Sequence, residues 1–114
     1  MAVSSEFLDY VRDQLTPAGR VTVRRMFGGV GIYLDGLFCA LIDDDVLYLK
    51  VDDRNRDAFL AAGCGPFRPT GPDGMVMNYH PVPAHVLEDA DTLAGWARTA
   101  RQVAADAKPK GRRQ

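Results

Sequence analysis

The sequence predicts an α+β fold: an antiparallel meander of four to five strands with helices packed on it, in the order α-β-β-β-β-α-β-α. Three observations carry this. The apolar spacing is helical before Pro17 and switches to strand-like runs after Gly19. The runs are separated by Asp35-Gly36 and by Asp43-Asp44-Asp45, connections so short that only antiparallel neighbours can be joined by them. Helical spacing then returns for a long final stretch.

Each element has a local reason. Ser4 and Ser5 are N-cap residues and Glu6 places an acid in the first turn. Phe7, Leu8, Val11 and Leu15 recur at helical spacing, and Pro17 and Gly19 stop the helix. Val21 to Phe27, Val30 to Leu34, Leu37 to Ile42 and Val46 to Val51 are the four strands. Gly28, Gly29 and Gly36 are expected to turn the chain, whereas Gly31 falls inside a strand, where a glycine points to a bulge or to close approach of another group. Asp52 or Asp53 is the expected cap of a second helix, which Gly63 ends. A loop dense in Gly and Pro leads to a fifth strand, Met75 to His80. After Pro81 and Pro83 comes a helical turn through His85 to Leu87. The last helix runs from Thr92 to Ala107, with Leu93, Trp96, Ala97, Ala100, Ala104 and Ala107 as its apolar stripe.

The turns imply a register. A two-residue Asp35-Gly36 loop pairs Leu34 with Leu37, Ile32 with Cys39 and Val30 with Leu41. A three-residue aspartate loop pairs Leu41 with Leu47 and Cys39 with Leu49. One face is then wholly apolar and needs helices over it. The other holds Gly31, Tyr33, Phe38, Ala40, Ile42, Val46, Tyr48 and Lys50, with Arg24 across from Tyr33 and Met26 beside Gly31 if Gly28-Gly29 is the turn. Arg25 falls on the aliphatic side, at odds with its charge. The second face has three readings: covered by a helix of the same chain, buried between two copies, or open as a binding platform.

Composition bounds the function. The chain has 114 residues, 46% hydrophobic and 25% charged, the profile of one globular domain. We expect that domain to span 1–107, followed by a basic, disordered tail at 108–114. The tail holds Lys108, Lys110, Arg112 and Arg113. The body has ten basic residues against fifteen acidic ones, a net of −5. A nucleic-acid-binding body usually carries a basic face, and this charge balance does not announce one. No apolar run is long enough for a membrane span and the acidic N-terminus is unlike a signal peptide. Cys39 and Cys64 are read as reduced thiols, which fits a cytoplasmic location.

Motifs for chemistry fail on spacing. Gly29-Val30-Gly31 lacks the third glycine of a dinucleotide fingerprint and a strand follows it; Gly31 and Gly36 have P-loop spacing, but Leu37 stands where the lysine belongs. His80 and His85 lack zinc-site spacing, and the aspartate run lacks the alternating ligands of a calcium loop. No metal or cofactor is expected. Cys64 in its glycine loop is the one candidate nucleophile; His80 could approach it only through the fold, since no spacing requires the two to meet.

Taken together, "RRMFGGVGIYLDGLFCALIDDDVLYLKVD", "GCGPF" and "MNYHPVPAHVLEDADTLAGWARTA" resemble the TfoX/Sxy N-terminal domain family. The Arg-x-Met-Phe-Gly-Gly-x-Gly core and the order Tyr79, Val82-Pro83, Leu87 and Trp96 carry the likeness. The resemblance implies an antiparallel sheet with packed helices. It also implies kinship with regulators of DNA-uptake competence that act with a transcription activator and carry a second, C-terminal domain absent from this chain. It implies no catalytic residues. The expectation is therefore a non-enzymatic interaction domain whose partner is another protein or a second copy. The alternatives are binding of nucleic acid or another anion through Arg24, Tyr33, Tyr48 and Lys50, and a thiol enzyme using Cys64.

Overall fold

Ser4 starts the first helix as expected: its side chain accepts a hydrogen bond from the Phe7 amide at 3.1 Å. The computed structural model describes residues 3–26, 28–67 and 78–107. Helix α1 spans Ser5–Leu15 and runs into a 3-10 turn, Thr16–Ala18. Strands β1 Val21–Met26, β2 Gly29–Leu34, β3 Leu37–Asp43 and β4 Val46–Lys50 follow. Helix α2 covers Arg56–Ala61, β5 Tyr79–Pro81, α3 Ala84–Leu87 and α4 Ala90–Ala107. The five strands form one antiparallel sheet in the order β1-β2-β3-β4-β5. The fold class and element order are those expected from the sequence. Part of the anticipated fifth strand, residues 75–77, and the basic tail at 108–114 lie outside the described residues.

The register differs from expectation at three places. Met26 pairs with Gly29, so Arg24 lies opposite Gly31, Thr22 opposite Tyr33, and Arg25 opposite Val30. The shift is two residues, an even number, so Arg24 and Arg25 keep their expected faces. Gly29 is a strand residue and not half of the turn; Gly28, at φ +79°, turns the chain. The second difference is a bulge. Leu34 pairs with Leu37 and Tyr33 with Phe38, but Ile32 then pairs with Ala40, leaving Cys39 as the extra residue. The third is the aspartate loop. Asp44 and Asp45 both have positive φ, +53° and +57°, which makes a two-residue turn of the kind that matches strand twist. Ile42 therefore pairs with Leu47, and Ala40 with Leu49.

The bulge changes which side chains face the helices. Ala40 and Ile42 join Val30, Ile32, Leu34, Leu47, Leu49 and Val51 in the core, and Leu41 turns to the second face beside Tyr48. Cys39 is fully buried at the bulge. Helix α4 lies along β3 and β4, and α1, the 3-10 turn and α3 pack on α4. Its buried stripe of Leu93, Ala94, Ala97, Ala100, Val103 and Ala104 is rich in small side chains, which lets the helix approach the sheet closely.

Helix α2 is capped differently from expectation. Asp52 and Asp53 precede it by several residues, and Asn55 stands at its N-cap without a side-chain cap bond. Asn55 instead accepts from the Asp52 amide at 2.9 Å and donates to the Lys50 carbonyl at 3.2 Å, tying the end of β4 to the helix start. Phe59 of α2 is buried edge-on against Trp96, with ring centroids 4.8 Å apart.

Candidate functional site

With the helices on one face of the sheet, the other face is where aromatic and basic residues gather. Strand alternation puts Tyr33, Phe38, Tyr48, Lys50 and Tyr79 there. Tyr33 lies directly across from Phe38, ring centroids 5.2 Å apart, because the Asp35-Gly36 turn fixes that pairing. Phe38 meets Tyr79 at 6.1 Å. Lys50 lies opposite Tyr79 on β4 and holds its ammonium 5.2 Å from that ring, within the range of a cation–π contact. Tyr79 is only 5% exposed, and burial pushes its phenol up to about 12. It is neutral at physiological pH and serves as the floor of the cluster. Tyr33, Phe38 and Lys50 remain half-buried.

These four side chains line a depression of about 420 Å³ where the end of α4, at Ala104 and Ala107, passes the tip of the β2–β3 hairpin. Of the four residues singled out from the sequence, the structure brings Tyr33 and Lys50 to this place. Tyr48 is elsewhere on the same face, packed against Phe67 with the rings tilted and their centroids 4.4 Å apart; burial, then Asp43 and Asp44, raise its phenol. Arg24 is exposed on β1, at the far edge of the sheet. Phe38 was legible as a member of this face, but Tyr79 was not, because its place depends on β5 returning across a long loop to pair with β4.

Gly31 is buried in mid-strand between Arg24 and Leu41, not beside Met26. The cation–aromatic floor, the tilted Tyr48–Phe67 pair and half-buried Leu41 together form a surface that is partly covered. It is neither a sealed core nor an open aromatic platform.

The other chemistry-bearing residues are engaged locally. His80, 3% exposed, holds its Nδ1 atom 2.8 Å from the Cys64 carbonyl oxygen, so that ring nitrogen faces the main chain and not the thiol. Burial raises the Cys64 thiol above its ordinary value and pushes Cys39 to about 11, the opposite of an activated nucleophile. His85 is exposed on α3, apart from His80. Among the described residues, no group of three or more His, Cys, Asp or Glu side chains is placed to hold a metal ion, and no helix is long and apolar enough to cross a membrane. A polar hollow beyond β4 is lined by Asp52, Asp53, Arg54, Arg56 and Asn78, but Arg54 is held by Asp52 and Asp106, and Arg56 by Asp53.

The sequence model described as the TfoX N-terminal domain matches residues 13–104. No curated protein matches the chain.

Proposed function

The chain belongs to the TfoX N-terminal domain family, and on that premise we propose that it is a non-enzymatic, cytoplasmic interaction domain that works through protein contacts, as expected of a domain shared with regulators of DNA-uptake competence. The observation that carries the reading is the second face of the sheet. Tyr33, Phe38, Leu41 and Tyr48 are left half-buried there, while α1 and α4 bury their apolar stripes on the opposite side. Contiguous, partly exposed aromatic surface is a common mark of a protein-contact site. Two unbridged cysteines suit a reducing compartment.

The test is co-purification from native extract with two variants of that face, Tyr33→Ser and Leu41→Lys. The reading expects discrete companions retained by the wild-type chain and lost from both variants, with unfolding midpoints that show both remain folded. Companions that stay bound to both folded variants, or a wild-type chain that retains none, would overturn it.

Nucleic-acid binding is the second reading, favoured by the exposed Arg24 on this face and weakened by Lys50 being engaged with Tyr79. A salt titration against duplex DNA and single-stranded RNA separates the two readings. Phosphate contacts make affinity fall steeply with salt, and absence of binding at low salt eliminates this one.

A further inference from the structure

The two edges of the sheet are treated differently. At the β5 edge the strand has three residues. Its outward carbonyl at Tyr79 already accepts the Phe67 amide at 2.7 Å, and its other outward residue is Pro81, which has no amide hydrogen. That edge is closed. At the β1 edge the strand has six residues, Val21–Met26, with no proline and an unbroken register to β2.

The hydrogen-bond phase of β1 follows from the contacts of Arg20. The Asp35 amide donates to the Arg20 carbonyl at 2.9 Å and the Arg20 amide to the Asp35 carboxylate at 2.9 Å, so the main-chain groups of Arg20 face the β2 side. Alternation along an antiparallel ladder then directs Thr22, Arg24 and Met26 toward β2. The main-chain groups of Val21, Val23 and Arg25 point outward, and among the described residues none of them has a main-chain partner on that side. Such a row is a template for another strand.

The side chains of this edge have one sign. Arg20, Thr22, Arg24 and Arg25 are exposed, and β1 holds no acid. The ion pairs among the described residues use Arg54, Arg56 and Arg101, and none uses Arg24 or Arg25. Being adjacent, Arg24 and Arg25 project from opposite faces of the sheet. We propose that the β1 edge accepts an acidic, extended segment of a protein partner as a sixth strand, with two neighbouring carboxylates of that segment straddling the sheet to meet Arg24 and Arg25.

A second copy of the chain fits this edge less well. Two β1 strands paired antiparallel about Val23 would gather both arginines of each chain along one seam, with no acid in either strand. This inference rests on the protein-contact reading and gives the partner a chemistry.

Amide hydrogen exchange tests it directly. The probe is a short blocked peptide with two adjacent glutamates flanked by valine and threonine. The expected result is slowing by roughly tenfold or more at Val21, Val23 and Arg25. The same peptide with its ladder-forming amides N-methylated, or with lysines for glutamates, should give no slowing. The double variant Arg24→Glu, Arg25→Glu should reverse the preference, responding to the lysine peptide and not to the glutamate one. Unchanged exchange at these three amides with excess peptide would overturn the proposal, as would equal protection by the lysine peptide. Protection that grows with protein concentration alone would assign the edge to a second copy and overturn it too. Tyr33 is on β2, opposite Thr22, whose main-chain groups face inward, and its side chain lies on the sheet face, so Tyr33→Ser should leave protection of the outward amides intact and failure here is distinguishable from failure of the sheet-face reading.

Discussion

Gly29 begins β2 at a point where the Ile42 main chain leaves no room for a side chain. A turn role was expected from its neighbour Gly28, and that role belongs to Gly28 and Gly36, whose φ values are +79° and +86°. Gly29 is needed for space: a Cβ there would lie 2.4 Å from the Ile42 carbonyl oxygen, a backbone atom that cannot swing away. We predict that Gly29→Ala destabilises the fold by about 2 kcal/mol, the scale of an overpacked site, measurable by urea unfolding. Asp35 is a second such residue. It adopts φ +51° in the hairpin turn, accepts the Arg20 amide at 2.9 Å and pairs with Arg101 of α4. The Arg20 amide, then Arg101, hold its carboxyl below the ordinary value of 3.8. A lowered acid stabilises the fold above its unfolded pKa and loses that contribution as pH falls through its folded one. Asp35→Asn, which tolerates the same backbone, should therefore be less stable than wild type at neutral pH. The gap should close as pH drops below 3.8, followed by urea midpoints across pH. The thiols give a third check: Cys39, pushed to about 11 and fully buried, should resist alkylation until the chain unfolds.

At the scale of elements, local signals were legible and pairings between distant segments less so. The Ser4 cap, the Asp35-Gly36 turn and the alanine stripe of α4 all follow from residues within a few positions of one another. Ser4→Ala should cost about 1 kcal/mol in thermal or urea unfolding, the ordinary cost of a lost N-cap. The bulge at Cys39 was not legible, because Leu37, Cys39 and Leu41 alternate as well as Ala40 and Ile42 do. What selects the second set is α4: its alanines come close to β3, and a small residue at position 40 lets them. The aspartate run hid its turn for a similar reason. Any two of three identical residues can take positive φ, and the pairing of Ile42 with Leu47 decides which. Half of the candidate site was legible. Tyr33 and Lys50 share a depression as their strand positions suggested, but the floor is supplied by Tyr79 from a strand that the local sequence places and does not pair.

Across the whole molecule the distribution of cover is uneven. One face of the sheet is packed by α4 and the elements behind it, and the other keeps half-exposed aromatics around the Lys50–Tyr79 contact. One edge is closed by Pro81 and Phe67, and the other is a basic strand with outward main-chain groups. Both uncovered regions suit contact with another protein, which is the central claim. The most direct measurement is photo-crosslinking in cells, with a benzoylphenylalanine probe placed at Tyr33 and, as control, at the exposed Tyr10 of α1. The account predicts a discrete protein adduct from position 33 and none from position 10. Nucleic acid captured at position 33, or the same adducts from both positions, would contradict it.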